Sequence, residues 1–253
     1  MESATAWMYL LLAGAGVAAG FINTIAAGGS MLTLPVLMLL GMPADVANGT
    51  NRLSIATQSV SGIFAFHRRG KLDHQAVLPV VIPVAVGALL GAGFATLVPE
   101  RVLKPALLVT MLVTAFVIAC SPQWSESASQ RAPLDARKSH RAHAGLFFAG
   151  LYGGFIQAGV GFILLFTLVT TLGYDLLRAN ALKLVCALAL GVIAVIVFAT
   201  SGDVEWIPAS VLAVSTVVGS QLGVRFALSV SPKVVRWIVL AAISTVCIAA
   251  LFK

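Results

Sequence analysis

Apolar residues run along this chain in ten stretches, at roughly 6–24, 31–42, 53–66, 75–98 and 103–120, then 145–157, 160–172, 184–200, 206–228 and 235–252. All nine acidic residues fall between these stretches or at their ends. With 59% hydrophobic and only 10% charged residues, and a mean hydropathy of +1.00, the chain is no soluble domain, in which about 25% would be charged. The pattern predicts an all-α polytopic membrane protein. A full helical crossing takes about 20 residues, so the stretches near 31–42, 145–157 and 160–172 are short and read as broken or re-entrant half-helices. Their breaks fall at Gly28-Gly29-Ser30 and at Gln157-Ala158-Gly159-Val160-Gly161. Irregular backbone at that depth is tolerated where it is buried in protein or lines a wet cavity.

The ten stretches divide five and five because the chain repeats itself. Gly41 and Gly173 differ by 132 positions, as do Ala47 and Ala179, Asn48 and Asn180, Gly91 and Gly223, and Phe94 and Phe226. Gly, Asn, Phe and cations held in one register point to duplication rather than shared composition. Residues 1–120 form the first repeat, 121–144 a polar cytoplasmic linker and 145–253 the second repeat. At the breaks, a two-residue slip aligns GFIN (Gly20 to Asn23) with GFIQ (Gly154 to Gln157).

Lysine and arginine orient the copies. If the first two stretches of each half return to one side, three full crossings follow, and one face collects twelve of the sixteen Lys and Arg residues, among them Arg68, Arg69, Lys71, Arg137, Lys138 and Arg141. The other face keeps Arg52, Arg101, Lys104 and Lys253 with the acidic turn Ser201 to Trp206. The basic face is cytoplasmic, with both termini outside. An odd number of crossings per half inverts the second copy, so the expected architecture is two inverted repeats of about five helical segments each, with a site near the membrane centre at their junction.

The candidate site is drawn from polar residues flanked by apolar sequence. Asn23, Gly28, Gly29, Ser30, Thr50, Asn51 and Arg52 come from the first half, and Gln157, Gly159, Gly161, Asn180 and Lys183 from the second. Glycine-flanked amides beside a helix break suit an anion, because the break frees backbone N–H groups. Asn51 aligns with Lys183, so an amide and a cation are expected to approach one anion from two sides. Arg52 reads equally as an interface cation that snorkels to headgroups, and Asn48 and Asn180 read first as helix caps.

No stretch carries a central carboxylate, so a proton relay or sodium site built on intramembrane Asp or Glu has no candidate. Cys120, Cys186 and Cys247 form no CxxC and have no His at ligand spacing, so no metal or cofactor is expected. No Ser/His, Asp/Asp or HExxH arrangement lies at membrane depth, which argues against an enzyme. The net charge of +7 comes from short loop clusters rather than a nucleic-acid surface. The expected partners are a small anionic substrate and the lipid bilayer; a homodimer stays open.

The segment GFINTIAAGGSMLTLPVLMLLGMPADVANGTNRL, with its echoes GGFIQAGVGFILLF and GYDLLRANALKL, resembles the TauE/SafE family, also called the sulfite exporter or TSUP family. The element Ala47-Asn48-Gly49-Thr50-Asn51 is the most specific part of the likeness, and Asn180-Ala181-Leu182-Lys183 departs from it in the second half. The resemblance implies a carrier of the bacterial inner membrane for sulfur-containing anions such as sulfite, sulfoacetate or related organosulfonates, exporting by alternating access. An anion channel of the same architecture, or an importer of thiosulfate-like anions, is the alternative.

Overall fold

The computed structural model describes residues 2–25, 28–120 and 134–227. Its helices are α1 (Glu2–Ile25), α2 (Ser30–Leu39), α3 (Ala44–His67), α4 (His74–Ala95), α5 (Glu100–Cys120), α6 (His140–Phe155), α7 (Val160–Phe166), α8 (Leu176–Ser201) and α9 (Trp206–Ala227). A π-helical turn at Thr167–Thr171 continues α7, and a 3₁₀ turn at Ala136–Lys138 precedes α6. There is no strand among the described residues, so the protein is an all-α polytopic membrane protein. Among the described residues, four helices are long and apolar enough to cross a bilayer, at Trp7–Ile25, His74–Ala95, Leu176–Ser201 and Trp206–Phe226. The tenth apolar stretch, at 235–252, lies outside the described residues, as do Arg131, Lys233, Arg236 and Lys253.

α3 and α8 begin well before their apolar cores at 53 and 184. Gly41 and Gly173 both take positive φ, at 95° and 74°, and reverse the chain where a side chain would be strained. Pro43 then stands before α3, and Asp175 accepts from the Leu177 and Arg178 amides to cap α8. The polar residues near 48–52 and 180–183 therefore sit in the second and third turns of long helices, not in loops.

Glycine contacts give the helix directions. Gly16 and Gly20 of α1 lie against Ser215 and Thr216 of α9, and Gly219 and Gly223 lie against Val17 and Phe21, so the two run parallel. In the same way Gly150 and Gly154 of α6 meet Val84 and Ala88 of α4. α3 joins the first pair, since the Thr216 and Ser220 hydroxyls donate to the Ser54 and Gln58 carbonyls. α8 joins the second, with Ala194 and Phe198 packed on Ala92 and Ala95. Between the two trios α3 and α8 cross antiparallel, Gly191 on Ala56 and Gly62 on Leu184. One end of the bundle thus gathers the loop with Arg68, Arg69 and Lys71, the starts of α6 and α8, and Arg225; the acidic turn after α8 is at the other. At the basic end the Tyr174 hydroxyl donates to Asp73 (2.8 Å); burial first, then that carboxylate, raises the phenol pKa.

These close approaches are testable. A methyl at Gly219 enters the backbone of Val17, whereas one at Gly93 meets nothing. Gly219→Ala is expected to cost about 2 kcal/mol through overpacking, read as a lower thermal midpoint in detergent. Gly93→Ala should leave that midpoint unchanged or raise it.

Candidate functional site

α1 and α6 end inside protein, and their last carbonyls lack helical partners. The missing donors come from the opposite half of the chain. At the end of α1, Asn180 Nδ2 donates to the Ile25 carbonyl (3.3 Å) and Lys183 Nζ to that of Asn23 (2.6 Å). At the end of α6, Asn48 Nδ2 donates to the Phe155 carbonyl (3.1 Å), while Arg52 donates to the carbonyls of Gly153 (2.5 Å) and Gly154 (2.9 Å). Arg52 also donates to Gln157 Oε1 and to Asn48 Oδ1. A cation at a helix C-terminus is also favoured by the axial dipole. The arrangement corrects two readings. Asn48 and Asn180 do not cap the starts of their own helices; they close the ends of the other half's broken helices. Arg52 does not snorkel: it is wholly buried, with the Phe198 ring 5.3 Å from the guanidinium carbon.

Helix ends also correct the register at the breaks. Ile25 and Phe155 end α1 and α6, and Ser30 and Val160 begin α2 and α7, each pair 130 apart. Asn23 therefore corresponds to Gly153 rather than to Gln157, each supplying a carbonyl to a cation. Gly29 and Gly159 are equivalent, each directly preceding a half-helix. From α3 onward the offset returns to 132, since α3 and α8 start at Ala44 and Leu176. The GFIN and GFIQ letters match, but they occupy different turns.

The two breaks share one apolar cluster, in which Ile156 and Ala158 pack with Ile25, Met31 and Leu32 under Leu103 and Leu107 of α5. Gly29 lies against Asn23 and the Ala19 carbonyl, so the start of α2 folds back along α1. Ser30 is buried there, and Thr33 one turn on donates to Asn51 Oδ1 (2.7 Å). Thr50, by contrast, turns outward to accept from the Glu205 amide (2.9 Å). Gly161 lies in the first turn of α7.

Asn51 and Lys183 do not converge on one point. In the antiparallel crossing Lys183 stands level with residues near Ile63, so its backbone is roughly 18 Å of axial rise from that of Asn51. They form two stations flanking the start of α2, Lys183 at the α1 end and Asn51 beside the first turn. Sequence reasoning passed over Thr33, Ser54, Ser59, Thr216 and Ser220, all buried. Their signal was faint: hydroxyls recur every four residues in α9 without breaking its apolar run.

The family model described as Sulfite exporter TauE/SafE matches residues 12–250. Among curated proteins, the probable membrane transporter protein ORF9 of a Sinorhizobium species is 30% identical over 224 residues, covering 86% of this chain and 82% of that protein. The probable membrane transporter protein YfcA of Escherichia coli K12 is 28% identical over 225 residues, covering 86% and 80%. A probable membrane transporter protein of Haemophilus influenzae is 26% identical over 223 residues, covering 87% and 86%.

Proposed function

We propose that this chain, a membrane transporter that belongs to the sulfite exporter TauE/SafE family, exports a small sulfur-containing anion, sulfite or an organosulfonate such as sulfoacetate, across the bacterial inner membrane. The observation that carries this reading is the pair of helix breaks meeting inside the bundle, each held by an amide and a cation from the other half of the chain. Rocking residues 1–120 against 145–253 would exchange those contacts and open the junction to one side at a time, as in inverted-repeat carriers. Inversion is supported by the packing: exchanging α1 for α6, α2 for α7, α3 for α8 and α9 for α4 carries the α1–α9, α3–α9, α1–α2 and α2–α3 pairs into α6–α4, α8–α4, α6–α7 and α7–α8, and α3 against α8 into itself. The gathered cations at one end make that end cytoplasmic.

The anion is held at the α1–α2 break, near Gly28, Gly29 and Ser30, between Lys183 and Asn51. Asn180 closes the α1 side of that break, while Gln157, Gly159, Gly161, Asn48 and Arg52 hold the second break in shape. The negative-inside potential favours exit by about 2.3 kcal/mol per charge per 100 mV, so export needs no intramembrane carboxylate, and the protein acts without catalysis.

Purified protein in liposomes loaded with ³⁵S-sulfite or sulfoacetate should show saturable efflux and counterflow. Single-channel current would instead make it a pore, and absence of flux for both anions would remove the substrate assignment. Cysteines placed at Ser201 and Ser139 should react with impermeant reagents from opposite faces of intact cells; reaction from one face overturns the inverted arrangement.

A further inference from the structure

The two trios, α1/α3/α9 and α6/α8/α4, are built on one plan, yet their interiors are chemically opposite. In the first trio Thr24 Oγ1 donates to Ser220 Oγ (2.9 Å), Ser220 Oγ to the Gln58 carbonyl (3.3 Å) and Thr216 Oγ1 to the Ser54 carbonyl (3.3 Å). Ser54 Oγ in turn reaches Asn51 Oδ1 (3.2 Å). The equivalent positions of the second trio are Gly154 for Thr24, Ala88 for Ser220, Leu190 for Gln58, Val84 for Thr216 and Cys186 for Ser54. These belong to, or border, the largest apolar cluster among the described residues. Five polar side chains of the first column thus correspond to Gly, Ala, Leu, Val and Cys in the second, while Asn51 corresponds to Lys183.

Hydroxyl bonds between helices serve as glue in a membrane protein, and that accounts for Thr24, Thr216 and Ser220. It does not account for Asn51 Nδ2 and Gln58 Oε1, which are buried on one stripe of α3 with no hydrogen-bond partner; the other unpaired buried side-chain atoms among the described residues are Arg52 Nε, Ser59 Oγ on the α3 face that packs on α8, and Asn180 Oδ1 at the α1 end. Gln58 lies seven residues beyond Asn51, on the same stripe of the helix. Unpaired amides in an apolar medium call for a polar visitor. The column also has a length that matters. From Asn51 it rises past Ser54 and Gln58 to the level of Lys183, about 12 residues or roughly 18 Å, more than half of a hydrocarbon core of about 30 Å.

We infer that the solvated path for the anion runs through only one of the two equivalent trios, between α1, α3 and α9, with Gln58 as its mid-depth hydrogen-bonding station and Lys183 at its cytoplasmic end. The trio α4/α6/α8 is the dry scaffold. This inference rests on the transporter reading but assigns residues that reading does not use. A neutral path lined by amides suits a small oxyanion, which takes the free Asn51 Nδ2 donor and, once the Gln58 amide turns its NH₂ end inward, a second donor in place of water.

The native Cys186 makes the test direct, because it is the second-trio equivalent of Ser54. In full-length protein with Cys120→Ala and Cys247→Ala, Ser54→Cys is compared with native Cys186 alone, and, with Cys186→Ala added, Ser220→Cys with Ala88→Cys. Each is exposed to a charged methanethiosulfonate in liposomes, and modification is read by mass. Residues 54 and 220 should react at least tenfold faster than 186 and 88, and bound sulfite should slow them. Equal rates at equivalent positions, or no reaction at any of the four, overturn the inference even if sulfite is transported. The tenfold difference without sulfite flux by the parent would instead remove the sulfite assignment and leave the path standing. Should Ser220→Cys not elute as the parent does, the pair Thr216→Cys and Val84→Cys carries the same comparison.

Discussion

Arg52→Ala is expected to prevent this protein from assembling, or to lower its thermal midpoint in detergent by more than any other single polar substitution. The guanidinium donates to the Gly153 and Gly154 carbonyls, to Gln157 and to Asn48. Removing it strands two main-chain carbonyls at the buried end of α6. Each buried acceptor left unpaired costs about 1–3 kcal/mol, so the total should reach several kcal/mol, before the lost packing on Phe198. Arg52→Lys should recover little of this, because a single ammonium cannot fork across acceptors set by a planar group. Fluorescence-detected size exclusion and thermal unfolding measure both variants. If Arg52→Ala melts within 2 °C or so of the parent, on a scale where 1 kcal/mol shifts a domain of this size by about 2–4 °C, the bracing role is wrong.

How much of this was legible beforehand depends on which physical signal was involved. Apolar run lengths announced α1, α4 and α9, and they announced the short α2, because twenty-residue and ten-residue runs differ in composition alone. The true starts of α3 and α8 were hidden, since polar residues between 44 and 52 resemble a loop until Gly41, Pro43 and Asp175 are recognised as the devices that end one element and begin the next. Side-chain direction was harder still. Asn51 and Arg52 are neighbours in sequence and were assigned one task, but successive helical residues point about 100° apart, so one reaches α2 and the other the end of α6. The antiparallel crossing of α3 and α8 likewise placed Asn51 and Lys183 at different depths, which a linear register of 132 cannot express.

Lys183→Ala should behave in the opposite way to Arg52→Ala, and the contrast separates bracing from binding. Lys183 gives one of three ammonium protons to the Asn23 carbonyl. Its loss strands one acceptor at the α1 end, where Asn180 still donates to Ile25, so the stability cost should stay near 1–2 kcal/mol. Transport should suffer more. An ammonium with donors to spare, buried beside the start of α2, is the group in this protein best placed to offset an anion's lost hydration, and charge-assisted hydrogen bonds are roughly twice as strong as neutral ones. Sulfite efflux from liposomes should therefore fall at least tenfold, about 1.4 kcal/mol in the barrier, with the fold retained. Lys183→Met, which keeps the length and apolar stem without the charge, should be as slow as Lys183→Ala. Efflux by the methionine variant equal to that of the parent would show that the ammonium, like the guanidinium of Arg52, serves only to close a helix end.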